Sequence, residues 1–387
     1  MRLLKLTPAD SFFFKGHMMS EMGVPSQWSG LFPPRPNTVY GALRSAYIHQ
    51  GSTFEAFRHE SDAHMKEWMG TPKEMGKFRQ QAVFIRQNRE ILLPVPLDYR
   101  IYSMIEHGEE KLKADILTLA PNRVLSNVRA GYTLTRTGEA AREGKDKEHH
   151  GQYVPLEQWC QAIFMQEEIQ DIRLLSQIVD GYMKTGIKID AATSGAEDAH
   201  FFQMNMLTMR QECQLVSLVS EKEAPDFSKV PMVSLGAENR PWFLGQEHVN
   251  WQVWSEEQLN QIVQSLHDTK RARIILLTPL VLPENCPLSQ PEQTEDWLWE
   301  LFPGVHVRLL TWVTGRAELY GGWDIVANRP KPRQLMLPAG TVFYVGIEPE
   351  DITSLSQVAN GFHLFGGETE GRDQEGFGFA VIASIKP

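Results

Sequence analysis

At 387 residues and 42% hydrophobic composition, the chain has enough material for two cores of ordinary domain size, which excludes a single small domain. No run approaches the roughly 18 apolar residues of a membrane span, and the first six residues meet Thr7-Pro8-Ala9-Asp10 before a signal-length apolar core forms. The net charge of -10 opposes nucleic acid on average, but residues 1–150 carry 21 Lys+Arg against 17 Asp+Glu while residues 151–387 carry 17 against 31. A basic surface must therefore be local, and the acidic second half suits docking to proteins. The cysteines, Cys160, Cys213 and Cys286, form no paired motif, so the expectation is a reducing cytoplasm, with no disulfide framework, zinc knuckle or membrane partner.

In chain order, the pattern predicts a strand at 2–6, a hairpin-like stretch at 11–22 and a helix at 37–50 that carries Val39, Leu43, Ala46 and Tyr47 near one face, with Asn37 as its N-cap. Strands follow at 81–86, 187–190, 200–206 and 214–219. Residues 138–151 lack any apolar period and read as an exposed loop. After a polar connector at 222–229 come a strand at 231–235, a helix at 256–267 and strands at 274–278, 305–312 and 341–345. A helix at 351–358 and a closing strand at 377–385 complete the series. This order predicts an α+β chain of two βαββαβ units with large insertions, divided near residue 220.

Three segments carry chemistry. The first is Leu31-Phe32-Pro33-Pro34-Arg35-Pro36-Asn37, followed by Gly41-Ala42-Leu43-Arg44: prolines lead an extended chain into a helix tip whose N–H groups, with Arg35 and Arg44, suit a phosphate. The second is the C-terminal glycine-rich stretch, in which Gly366, Gly367, Gly371, Gly376 and Gly378 would let backbone N–H groups approach a polyanion, with Arg372 at the tip. Its Gly376-Phe377-Gly378-Phe379 is not the stacking strand of an RRM, because no helix and strand follow it, and both phenylalanines read as core. The third is diffuse and basic: Lys184-Thr185-Gly186-Ile187-Lys188 and on to Thr193, then Leu235-Gly236-Ala237-Glu238-Asn239-Arg240, then Tyr320-Gly321-Gly322-Trp323-Asp324 running to Lys331-Pro332-Arg333.

This set, in this order, resembles the third RAMP-superfamily subunit of the Cmr module of type III-B CRISPR effector complexes. The likeness starts at Leu6-Thr7-Pro8-Ala9-Asp10-Ser11-Phe12-Phe13-Phe14 and runs through Leu31-Phe32-Pro33-Pro34, Leu93-Pro94-Val95-Pro96-Leu97-Asp98 and Gly186-Ile187-Lys188-Ile189-Asp190. Leu277-Thr278-Pro279, Leu337-Pro338-Ala339-Gly340-Thr341-Val342 and the glycine-rich tail complete it. The resemblance implies two ferredoxin-like, RRM-like RAMP domains (1–220 and 221–387) that grip the 5′ repeat-derived tag of a CRISPR RNA. The partners it implies are the large polymerase-like subunit and a neighbouring RAMP backbone subunit, and it implies neither catalysis nor a cofactor. Where the family pattern places Arg-Asp after the aromatic strand, this chain has Lys15-Gly16-His17, and a lysine lacks the bidentate fork of arginine.

The expected RNA contacts are therefore Lys15, His17, Arg35, Asn37, Arg44, Lys184, Lys188, Arg240, Gly366, Gly367, Gly371, Arg372, Gly376 and Gly378. Two other readings compete. A metal-independent repeat endoribonuclease would use His17, His49 or His363 as acid or base. An assembly-only subunit would use some of the tryptophans crowded into the acidic half, among them Trp242, Trp251, Trp254, Trp299 and Trp312, although most of these read as core.

Overall fold

The computed structural model describes residues 1–16, 26–28, 30–106, 109–121, 131–136, 147, 151–189, 196–283, 286, 288, 298–302, 304–321, 323–324, 329–330, 332–366 and 371–385. The elements used below are, in order, β1 (Arg2–Pro8), α1 (Pro36–Gly51), α2 (Ala63–Met69), β2 (Gln80–Gln87), β3 (Glu90–Pro94), β4 (Gln152–Pro155) and α3 (Leu156–Met165). They continue with β5 (Val179–Ile189), β6 (Ala196–Met209), β7 (Cys213–Val219), β8 (Pro241–His248), α4 (Glu256–Thr269), β9 (Arg271–Leu276) and β10 (Val305–Val313). The last are β11 (Glu318–Tyr320), β12 (Gln334–Leu337), β13 (Val342–Ile347), α5 (Ile352–Gln357) and β14 (Phe379–Ala383).

Two antiparallel sheets organise this α+β chain. The first runs β4-β3-β2-β7-β1-β8 between the short edge strands Arg173–Leu174 and Met232–Ser234. Because β7 is antiparallel to both β1 and β2, those two are parallel with β7 inserted between them; likewise β7 and β8 are parallel with β1 between them. The second sheet repeats the arrangement as β10-β13-β9-β14 at its centre. This split strand order is that of a βαββαβ unit. The helices depart from it: α1 lies between β1 and β2, but the connection from β7 to β8 holds only Met232–Ser234 and a single 3₁₀ turn, Ala237–Asn239. In the second sheet α5 joins β13 to β14, while α4 precedes β9.

Alternation along β1 explains why both faces of the first sheet are apolar. Leu3 points into a core shared with Phe84, Val216, Ile274, Val345 and Ile382, which draws on both sheets. Leu4 and Leu6 point the other way, onto Val39 and Leu43 of α1. The helix α4 is specified locally: Ser255 and Gln258 form a reciprocal capping box, Glu256 and Glu257 fill the first turn, and His267 sits in the last.

One expectation changes. The stretch from Ser11 is no hairpin in its described part: Phe12 bridges Leu207 and Lys15 bridges Gly30, and Phe12, Phe13 and Phe14 are all buried, Phe12 against Phe32 and Trp242. A division at residue 220 would cut the first sheet, because β8 pairs with β1 along its whole length. The loop at 138–151 lies outside the described residues apart from Lys147 and Gly151. Phe377 and Phe379 are core residues at 2% and 3% exposure, as are Trp242, Trp254 and Trp299. Among the described residues no helix is long and apolar enough to cross a membrane, and no group of three His, Cys, Asp or Glu side chains is placed to hold a metal.

Candidate nucleic-acid interface

The proline-led segment reaches α1 with Arg35 as the extended N-cap residue and Pro36 at the first helical position, where its fixed φ suits the helix and its missing N–H removes nothing. Asn37 is thus inside the first turn and caps nothing. Its side-chain Oδ1 is buried without a hydrogen-bond partner among the described residues. The first turn holds no acidic side chain.

The glycine-rich stretch folds back onto this helix tip. Gln80, at the start of β2, joins the two: its Nε2 donates to the Pro36 carbonyl at 2.9 Å and to the Glu375 carbonyl at 2.6 Å, while its Oε1 accepts from the Ser217 hydroxyl at 2.9 Å. Arg79 adds an ion pair to Asp373 at 2.8 Å. At the junction lies Tyr320 of β11, which is buried. The Arg35 guanidinium stands over its ring at 5.6 Å from the centroid and the Arg372 guanidinium at 4.9 Å. Arg35 donates to Glu318 at 3.1 Å, and Arg372 to Glu375 at 3.0 Å. Burial pulls the Arg35 guanidinium down from its ordinary value, opposed by Glu318, and burial raises the Tyr320 hydroxyl. Beside Arg35 opens a cleft of about 560 Å³ between the sheets, lined by Pro33, Pro34, Pro94, Pro279 and Pro338, with Arg316 and Glu318 among its polar residues.

A second basic group assembles elsewhere. Lys184 on β5 pairs with Glu238 at 3.5 Å, and Arg240 pairs with Glu238 at 2.5 Å and Asp10 at 3.7 Å. Arg240, first among its partners, holds the Glu238 carboxyl below the usual range. The turn carrying Glu238 is tied to the Phe-rich segment through Ala237 N–H donating to the Phe13 carbonyl at 2.9 Å, which places the exposed Lys15 two residues further along. A side chain at Gly236 (φ 90°) would press on that same carbonyl.

The structure thus brings Arg35, Asn37, Arg372, Gly376 and Gly378 to one junction and Lys184 and Arg240 to another. It relocates others. Arg44 does not face the helix tip: its Nε and Nη2 donate to the Met69 and Thr71 carbonyls at 2.8 and 2.7 Å, closing the C-terminal end of α2. Arg372 is no exposed tip but 9% exposed. The N–H groups of 375–378 are not turned toward a ligand: Gly376 donates to Asp373, Phe377 to Arg372 and Gly378 to Pro279. The glycines Gly371, Gly376 and Gly378 serve positive φ of 82°, 91° and 70°. At Gly371 a Cβ would also collide with the Met75 sulfur. Gly366 sits beside His363, where a Cβ would lie 3.3 Å from the His363 carbonyl. His17 and Gly367 lie outside the described residues, and Lys188 is placed only as backbone of β5.

Gln80 and Glu318 were not signalled by any motif, while Tyr320 and Glu375 lay inside the third segment and the glycine-rich stretch without an assigned contact. Both Gln80 and Glu318 are ordinary residue types whose partners are remote in sequence, such as Glu318, 283 positions from Arg35.

Of the catalytic candidates, His49 is in the last turn of α1, at the opposite end of a 16-residue helix from Arg35. The His363 ring donates to the Phe377 carbonyl at 2.8 Å and meets the Gln81 carboxamide at 3.1 Å; desolvation by burial pushes it down to about 4. An imidazole whose folded value lies below the unfolded 6.5 is protonated more readily when unfolded. The stability it contributes is complete above about pH 6.5 and is lost as pH falls toward 4. Urea denaturation across that window should show wild type losing stability on acidification and His363→Gln losing less.

Fold and site together define a double-sheet α+β protein with arginines gathered over an aromatic ring at a cleft between its sheets. Residues 4–386 match the family Cas_Cmr3, CRISPR-associated protein, and the chain belongs to it. Two solved structures share the fold. One is a chain of the type III-B Cmr-beta bound to cognate target RNA and AMPPnP, state 1 (TM-score 0.51, 14% identity, covering 100% of this chain and 99% of that one). The other is from the same assembly bound to cognate target RNA (TM-score 0.51, 13% identity, with coverage of 100% and 99%). No curated protein matches the chain.

Proposed function

We propose that the chain is a non-catalytic subunit of a type III-B CRISPR RNA-guided effector complex. In this reading its two ferredoxin-like halves hold the 5′ repeat-derived tag of the guide RNA and dock to the large polymerase-like subunit and a neighbouring RAMP backbone subunit. Membership of the family and the RNA-bound assemblies that contain chains of this fold support the setting. The observation that carries the site is the convergence of Arg35 and Arg372 on Tyr320 beside the proline-lined cleft.

In this reading the backbone of a single strand crosses Arg35, whose planar fork suits a phosphate, and a splayed base enters apolar surroundings. The buried Asn37 Oδ1 offers an acceptor to a ribose 2′-hydroxyl, a group that DNA lacks. Lys15, Lys184 and Arg240 extend the track as point contacts.

The test is a crosslinking map of the reconstituted complex with 4-thiouridine placed through the guide RNA. Tag nucleotides should crosslink to this subunit, at peptides containing residues 31–37 or 371–378. Crosslinks to other subunits alone would leave an assembly role, and cleavage of repeat RNA in EDTA would restore the nuclease. On the purified chain, Arg35→Ala should weaken binding of single-stranded repeat RNA about tenfold and flatten the salt dependence by about 0.7 in slope, the value for a single phosphate no longer neutralised.

A further inference from the structure

Four charged groups surround Tyr320, and they cancel: Arg35 and Arg372 against Glu318 and Glu375. The two carboxylates are held differently. Glu375 is 15% exposed, lies in the glycine-rich loop three residues from its arginine, and its carbonyl is gripped by Gln80. Glu318 is 42% exposed against 11% for Arg35, lines the cleft, and sits on β11, an edge strand of its three-stranded sheet. Its neighbour two residues on, Tyr320, anchors the strand from the buried side, so the Glu318 side chain can leave Arg35 without unpacking the strand.

Resting on the RNA-binding reading above, we propose that Glu318 is a specificity-determining residue that occupies the anion position of Arg35 in the free protein and is displaced by an RNA phosphate. A partly exposed ion pair contributes little, whereas an arginine and a phosphate make two parallel charge-assisted hydrogen bonds. Exchange of one anion for the other is therefore favourable only when the incoming phosphate is delivered by a strand with further contacts. A lone phosphate or mononucleotide meets a neutral site with a carboxylate already in place. The device thus selects a polyanion over the small anions and nucleotides abundant in a cell. It also accounts for an RNA site in a region without net positive charge.

The experiment measures fluorescence anisotropy of labelled single-stranded repeat RNA, and competition by AMP, with the full-length chain and the variants Glu318→Gln, Glu318→Ala, Arg35→Ala and Arg35→Ala/Glu318→Ala. Both single Glu318 changes should tighten RNA binding about five- to tenfold at low ionic strength, through removal of a like charge beside the phosphate, and AMP should become a measurable competitor. In the double variant the gain should vanish, because Arg35 is the group being uncovered. If Arg35→Ala weakens binding while both Glu318 variants bind as wild type, the gate is wrong and the arginine site stands. If Arg35→Ala binds as wild type, both are wrong. A gain that persists in the double variant also overturns the gate, since it would reflect only the general charge of the surface.

Discussion

Asp98→Ala should lower the unfolding free energy by about 3–5 kcal/mol, read from urea or thermal denaturation of the full chain. Asp98 and Arg273 are both fully buried, and Asp98 Oδ2 accepts from Arg273 Nη1 at 3.1 Å and from the Tyr344 hydroxyl at 2.9 Å. The same guanidinium donates to the Ser384 carbonyl at 3.1 Å and to the Ile163 carbonyl of α3 at 2.7 Å. One buried cation thus ties the first half to β9 and to the end of β14. Removing the carboxylate leaves the cation desolvated among neutral dipoles, the Ser384 and Ile163 carbonyls and the Tyr99 and Tyr344 hydroxyls. Replacing both partners by apolar residues, Asp98→Leu with Arg273→Met, should recover most of the stability, because no buried charge then remains. A decrease below about 1 kcal/mol for the single change would show that water reaches the pair.

Gln80→Ala is expected to cost about 2–4 kcal/mol and, unlike a distant core change, to weaken RNA binding as well. The Gln80 side chain is fully buried and makes three hydrogen bonds, to the helix tip at Pro36, to the loop at Glu375 and to Ser217 of β7. Its removal strands two carbonyls and a hydroxyl away from water and uncouples Arg35 from Arg372. Gln80→Glu is the sharper control, since it keeps the shape but replaces the donor by an acceptor facing two carbonyl oxygens. Amide hydrogen exchange of residues 375–378 should accelerate in both variants. Unchanged exchange with reduced stability would mean that the loop is held by Arg79 and Asp373 instead.

Much of the local architecture was legible before the fold. A period of two marked β1, β2 and β7 to within a residue or two, and the apolar face Val39-Leu43 together with Pro36 marked α1. The helix expected at 256–267 is α4, and the crowded glycines marked a loop. These signals are local because they arise from backbone dihedrals and from which face of one element is apolar. The helix tip and the terminal loop were also marked as places suited to a polyanion, and they do meet.

What the sequence by itself determined was therefore the elements and the two segments of interest. Only the tertiary structure decided what each charge does. Arg44 and Arg35 are nine positions apart on one segment, yet one closes the end of α2 and the other stands over Tyr320. Asp98 stood in a recognisable Leu-Pro-Val-Pro-Leu-Asp run without a role until Arg273, 175 positions away, closed on it. A guanidinium has several donors and no preferred local partner, so its assignment depends on which strands the sheets bring beside it. That pairing is set by long-range packing of two apolar faces, and no short stretch of chain encodes it.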